Sequence, residues 1–211
     1  MSIGTPGGTT TTGRARLAIF ARAPVPGQVK QRLAATMGDQ AALSAHVALV
    51  EDTLQRLHEV PGATTELWLT GAEVARVSDW CRRWRLPLRR QRGSDLGARM
   101  STAIAAALAG GEPGLVVGCD CPPVTADYVA RAIRSLLETD VVLGPALDGG
   151  YALVGLARDE PDIFQSIAWG TSKVLEQTLT RADAAGLSVT LLEPVWDVDT
   201  EADWRRFQAG R

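Results

Sequence analysis

The chain has 211 residues, 45% hydrophobic and 22% charged, with a net charge of −2 at pH 7. That length holds a sizeable core without disulfide or metal staples, and the near-balanced charge argues against a general nucleic-acid binder. No apolar run reaches the roughly 18 residues of a membrane helix. Three cysteines (Cys81, Cys119, Cys121) are too few and odd in number for a disulfide framework, so a reducing cytoplasm is the expected compartment.

Residues 1–15, rich in Gly and Thr, cannot bury enough surface to offset ordering and are expected to form a disordered leader before a single domain at 16–211. Leu17–Ala21 is a short apolar run closed by a Pro/Gly loop, which suits a buried strand. Leu43, Val47, Val50, Leu54 and Leu57 recur at spacings of three and four and predict a helix over 39–59, stopped by Pro61-Gly62. A strand follows at 66–70, a helix near 73–83, a weak strand near 86–91, and a helical stripe at Met100, Ile104 and Leu108. Gly114–Gly118 reads as a buried strand. Val129, Ala132, Ile133, Leu136 and Leu137 mark the next helix. Short strands at 141–143 and 151–154 flank a turn at Asp148-Gly149-Gly150. A helix through Leu175, Leu179 and Ala182, a strand at 189–192 and a terminal helix at 201–207 complete the chain. This alternation predicts an α/β protein, a three-layer α/β/α sandwich around a mainly parallel, Rossmann-like sheet. Such folds bind ligands beyond the carboxyl ends of the strands.

Four polar clusters fall at those ends. Ala21–Leu33 carries Lys30 and Arg32 on a Pro/Gly loop that is neither G-x-G-x-x-G nor a P-loop. It suits a phosphate cradle, or else a surface loop with two solvated cations. In Cys119-Asp120-Cys121-Pro122, Asp120 stands where an apolar strand leaves the sheet. It reads as a cation or substrate contact, or as a helix cap, a task that Thr125 or Asp127 performs better. C-x-C lacks the remaining ligands of a zinc site, so the two thiols read as small buried residues. Asp148-Gly149-Gly150-Tyr151 reads as a plain hairpin turn, or else as one whose glycines let the backbone approach a ligand while Asp148 binds a hydroxyl or acts as a base. Asp197 and Asp199, two apart on an extended segment, point the same way. Capping of the last helix explains one of them, and a Mg²⁺ site shared with Asp120 explains the other. His46 and His58 read as structural, and the basic run Arg82–Arg92 as a solvated face. The loop Gln91–Met100 opens a helix whose N-terminus can receive an anion or a base edge.

In order, F-A-R-A-P-x-P-G-x-V-K-x-R-L, D-L-G-x-R-M, G-C-D-C-P, G-P-A-x-D-G-G-Y, W-G-T and D-V-D-T cover about residues 17–207. Together they make the chain resemble a bacterial family of GT-A-type glycosyltransferases linked with radical-SAM/selenodomain proteins or arsenosugar biosynthesis. That family lies within the nucleotide-diphospho-sugar transferase superfamily, and the chain is more distantly similar to 2-phospholactate and molybdenum cofactor guanylyltransferases. The resemblance implies a GT-A fold, a nucleotide or nucleotide-sugar donor, a small-molecule acceptor, and Mg²⁺ or Mn²⁺. By motif match it places Ala21, Arg22, Gly27, Lys30 and Arg32 on the nucleotide and phosphate loop, and Gln91, Gly93, Asp95 and Gly97 on the base and ribose side. It places Asp120 at the metal-binding aspartate, Asp199 with Asp197 at the second metal position, and Asp148 on the acceptor turn. Lys30 and Asp148 are then the catalytic pair. Arg22 stands where the family usually has Lys, and Cys119 and Cys121 where it has Ser. The expected activity is glycosyl transfer. Pyrophosphate-releasing nucleotidyl transfer and non-catalytic nucleotide-sugar binding are the alternatives.

Overall fold

A computed structural model describes residues 14–210. Its first strand, β1 (Ala15–Arg22), sends Leu17, Ile19 and Ala21 into one apolar core and Ala18 and Phe20 into another. Cover on both faces is why the strand reads as an uninterrupted apolar run. It begins at Ala15, paired with Ala63, rather than at Leu17. The polar Arg16 disguises that start; its guanidinium pairs with Glu66 and Glu112. Most of the expected leader lies outside the described residues, and at Ala15 the sheet has already begun.

The remaining strands are β2 (Ala63–Thr70), β3 (Leu88–Arg90), β4 (Gly114–Val117), β5 (Val141–Pro145), β6 (Tyr151–Leu156) and β7 (Val189–Leu191). They form one sheet in the order β3-β2-β1-β4-β6-β5-β7, parallel except for β6, which runs against both neighbours. The chain winds outward from β1 to β2 on one side and to β4 on the other. The loops after β1 and β4 therefore diverge, leaving a crevice between them. Reversed β6 starts beside the end of β4, with Leu153 opposite Val117, so the turn before it opens onto the same crevice.

One face is covered by α2 (Asp39–Leu57), α3 (Ala75–Trp84) and α5 (Ala126–Ser135), through residues such as Leu54, Trp80 and Val129. The other is covered by α4 (Leu96–Leu108), a 3₁₀ turn at Pro161–Phe164 and α6 (Val174–Ala184). Gly114 lets α4 lie close on β4, since a Cβ there would sit 2.8 Å from the Ile104 Cα. Two further helices, α1 (Gln31–Met37) and α7 (Glu201–Ala209), pack on the outer side of α2 around Leu33, Leu49, Val198 and Phe207. The sequence pattern does not predict α1, whose one buried residue is Leu33. Its presence shifts the buried side of α2: Ala42, Ala45, His46 and Leu49 are buried, while Leu43 and Val47 are half-buried. Among the described residues no helix is long and apolar enough to cross a membrane.

Candidate active site

The crevice at the strand ends is a cleft of about 620 Å³ that takes in Ala21, Arg22, Lys30, Arg32, Gln91, Asp120, Asp148, Asp197 and Asp199. The sequence scatters these residues, and backbone pairing gathers them. Val198 N–H donates to the Asp120 carbonyl at 2.8 Å, which fastens the segment before α7 to the end of β4. Val198 itself is fully buried. Alternation along the extended chain then turns its neighbours Asp197 and Asp199 together toward the cleft. Thr200 takes over the capping of α7, in a reciprocal pair with Asp203, so neither cleft aspartate is needed as a cap. Likewise Thr125, not Asp120, caps α5.

Lys30 is the hub of the acidic end. Its Nζ donates to the Val198 carbonyl at 2.6 Å and to Asp120 at 3.2 Å, and lies 3.6 Å from Asp199. Its backbone is left-handed, with φ 45° and ψ 52°, at the start of α1. For a non-glycine residue that costs about 1 kcal/mol or more, which the ion pairs and hydrogen bonds offset. Burial pushes the Lys30 ammonium down, but Asp120 and Asp199 outweigh it and hold it above its ordinary value. Burial likewise pushes Asp120 up, and Lys30 reverses that, holding the carboxyl below the usual range. Asp197 has no such rescue. Burial, then repulsion from Asp199, Asp120 and Asp148, pushes it up to about 6. Arg32 reaches Asp199 at 2.5 Å from an exposed position.

The flanking thiols are held as neutral side chains. Cys119 donates to the Phe20 carbonyl at 3.3 Å and Cys121 points at Asp120 Oδ1 at 3.8 Å. Burial and the Asp120 charge raise both. They therefore stay protonated, as small buried residues rather than metal thiolates.

The carboxylates suit a hard cation such as Mg²⁺ or Mn²⁺, and Asp197 is raised by burial first and then by repulsion from Asp199, Asp120 and Asp148. Among the described residues, however, no three His, Cys, Asp or Glu side chains are gathered as a metal cage. Lys30 stands between Asp120 and Asp199. The residues thus fit a site with one or two protein carboxylates, completed by phosphate and water, and not the three-aspartate set of Asp120, Asp197 and Asp199.

At the other end, Gln91 donates through Nε2 to the carbonyls of Trp68 at 2.8 Å and Ala21 at 3.1 Å. Its amide oxygen is thereby left to accept from a base. Arg22 closes the loop after β1 by donating to the Gln28 carbonyl at 2.9 Å. Four residues of the expected nucleotide set do not line the cleft: Gly27, Gly93, Asp95 and Gly97. Asp95 accepts from Ala98 N–H as the cap of α4. Gly93 lies so close to the start of α4 that a Cβ would be 2.7 Å from backbone atoms. Gly27 occupies a turn at φ 71°. Gly97 faces Trp169 and Phe164.

Three of the six arginines in the basic run Arg82–Arg92 are ion-paired, Arg82 on Asp79, Arg89 on Glu66 and Arg90 on Glu73, and all six are exposed, as expected of a solvated face.

Three cleft residues escape the sequence reading. His46, expected to be structural, lines the cleft, and its Nε2 lies 2.9 Å from the Arg22 carbonyl. Burial lowers its pKa, which favours the neutral Nε2–H tautomer as the donor holding the end of β1. Its signal was hidden because α2 is buried on two sides. Trp169 and Tyr151 form a wall on the far side, their rings edge to face at 6.4 Å. The motifs W-G-T and D-G-G-Y contain them without saying that they meet.

The sequence pattern of a family described as "Uncharacterized protein conserved in bacteria (DUF2064)" matches residues 53–171. No curated protein matches the chain. Among solved structures, the chain is similar to a protein of Desulfovibrio desulfuricans G20 provisionally described as a nucleotide-diphospho-sugar transferase. The two are 30% identical with a TM-score of 0.80, over 88% of this chain and 82% of that one. It shares its fold with the 4-diphosphocytidyl-2C-methyl-D-erythritol synthase of Anaerococcus prevotii DSM 20548, at 12% identity and TM-score 0.63, over 97% of this chain and 99% of that one. A nucleotidyl transferase from Methanothermobacter matches at 16% identity and TM-score 0.63, over 93% and 97%.

Proposed function

The chain belongs to the DUF2064 family, and we propose that it is a glycosyltransferase that moves a sugar from a nucleoside-diphosphate donor to a small acceptor with Mg²⁺ or Mn²⁺. The reading is carried by the division of charge in the cleft. Arg22, Lys30 and Arg32 stand on the β1–α1 side and Arg99 on α4, while the cleft residues of 146–154 and 169–174 include Asp148 and no lysine or arginine. A nucleotidyl acceptor that attacks through an anionic phosphate needs cations where it sits. A hydroxyl acceptor needs a base. Asp148 offers one: its Oδ1 accepts from Gly150 N–H at 2.9 Å, which orients the carboxylate and leaves Oδ2 to take a proton.

In this reading Gln91 meets the base, and the diphosphate lies toward Lys30 and Arg32. The acceptor oxygen forms its bond to the anomeric carbon as the bond from that carbon to the β-phosphate oxygen breaks. The acceptor proton passes to Asp148. Lys30 and Arg32 stabilise the charge gathering on the leaving diphosphate. A divalent cation held by Asp120 and Asp199 would neutralise phosphate oxygens as the leaving group departs.

Incubating the protein with nucleotide sugars or nucleoside triphosphates, with Mg²⁺ or EDTA, separates the readings. Release of nucleoside diphosphate from a nucleotide sugar supports glycosyl transfer. Pyrophosphate release from a triphosphate replaces it with nucleotidyl transfer, and binding without turnover of either replaces it with a non-catalytic role.

A further inference from the structure

The acceptor half of the cleft is poor in free hydrogen-bonding groups. Thr171 spends its hydroxyl proton on the Ala168 carbonyl at 2.8 Å. The Tyr151 hydroxyl is buried beside Thr178, away from the cleft. What remains is the Trp169 indole, the Tyr151 ring, Val174 and, at the mouth, Leu96, which is 44% exposed, with Arg99, one turn along α4 from Leu96, donating through Nε to the Gly93 carbonyl at 3.3 Å. Leu96 is one of the four large hydrophobic side chains exposed among the described residues, and it lines this cleft.

This wall is built and held. A Cβ at Gly97 would lie 2.6 Å from Trp169 Cζ2 and 2.9 Å from the Phe164 carbonyl oxygen. Gly97 is therefore the space into which the indole closes. Just beyond the W-G-T motif, the backbone of Ser172 lies against Gly149, where a Cβ would come within 2.3 Å. Leu175 N–H then donates to the Gly149 carbonyl at 2.9 Å. The segment carrying Trp169 is thereby fastened to α4 at one end and to the Asp148 turn at the other. Its position relative to the Asp148 carboxylate is fixed before any ligand arrives.

We infer that this half takes an acceptor with an apolar ring or alkyl body lying against Trp169 and a single hydroxyl directed at Asp148, rather than a polyhydroxylated sugar. The role of Asp148 rests on the glycosyl-transfer reading, and the apolar seat does not. A polyol would bury several hydroxyls against Trp169, Val174 and Leu96, and each one left without a partner costs roughly fivefold to a hundredfold in affinity. An apolar body loses nothing there and gains the aromatic face.

The test measures binding of 4-methylbenzyl alcohol and cyclohexylmethanol, against glycerol and glucose, to protein held with Mg²⁺ and a nucleoside diphosphate. The apolar alcohols should bind and the polyols should not. Trp169→Ala should weaken the apolar alcohols about tenfold with nucleoside diphosphate affinity retained. Gly97→Ala should do the same although Trp169 is still present, because its new Cβ drives the indole out of place. Should Gly97→Ala fail to fold, Trp169→Phe, expected to retain part of the affinity, takes its place. Equal binding of polyols and apolar alcohols, or apolar binding indifferent to Trp169→Ala, overturns the inference. If apolar binding follows Trp169 but turnover releases pyrophosphate, the seat stands and the glycosyl-transfer reading falls.

Discussion

Replacing Asp197 by Asn should stabilise the metal-free protein, an unusual result for a polar substitution in a cleft. The Asp197 carboxyl is pushed up to about 6 by burial and by Asp199, Asp120 and Asp148, against about 3.9 in an unfolded chain. The folded state thus holds this proton more tightly, so stability falls as pH rises from about 4 through 6, and the full penalty is present above that. A difference of that size sets a ceiling of about 3 kcal/mol. Asp197 is partly open to solvent, and screening reduces the expected gain to about 1 kcal/mol. In a domain of this size that is about 2–4 °C in Tm. Asn keeps the shape and removes the charge. Thermal unfolding of wild type and Asp197→Asn in EDTA at pH 8, 6 and 4.5 measures it. The gain should be full at pH 8 and shrink to about a third at pH 4.5. No gain at pH 8, or one independent of pH, would show that the carboxylates are not crowded as described.

Asp120→Asn should abolish the Mg²⁺-dependent part of nucleoside diphosphate binding while lowering Tm by only about 2–4 °C, since Lys30 keeps Asp199 and the Val198 carbonyl; titration with Mg²⁺ or EDTA checks it, and equal affinities in all arms would refute it. Lys30→Met should lower turnover about 10²–10³-fold. The stability that Lys30 contributes, present below about pH 10.4 because its folded pKa is raised, should disappear from the difference between wild type and variant as unfolding is followed at higher pH. Thr200→Ala, which removes the cap of α7, should cost about 1 kcal/mol in a denaturant titration; no loss would mean that Asp203 alone holds the helix start.

The fold was legible where elements are covered on both faces. Leu17–Ala21 of β1 and all of β4 are unbroken apolar runs because each is sealed between helical layers, and composition shows this directly. α1 was not legible. It begins at a left-handed lysine and spans seven residues, with Leu33 buried and Ala34 and Met37 packed beside it, too short a face for a period to mark it. The 3₁₀ turn at Pro161–Phe164 is too short for a period, although Ile163 and Phe164 are buried. The reversal of β6 does leave a mark, in the Asp-Gly-Gly turn of a hairpin.

Only part of the candidate cleft was legible as residues, and its contacts were not: His46, Tyr151 and Trp169 line it unannounced, while Gly27, Gly93, Asp95 and Gly97 do not line it. Asp120 and Asp199 are 79 positions apart, yet both had to reach the cleft, because strand ends in such sheets converge. The alternation rule aimed Asp197 with Asp199, and the buried Val198 between them is why it holds. Nothing in the sequence shows that an ammonium would stand between two aspartates assigned to a metal. Lys30 gets there through a strained backbone and a carbonyl on a segment 168 residues away. Gly97 makes the same point from the other side. In the D-L-G-x-R-M motif it looks like a ligand contact, because glycine lets a backbone approach a nucleotide. In the fold it admits an indole instead. A motif glycine records that something comes close, and only the packing decides whether that is a substrate or the tryptophan shaping the substrate's seat.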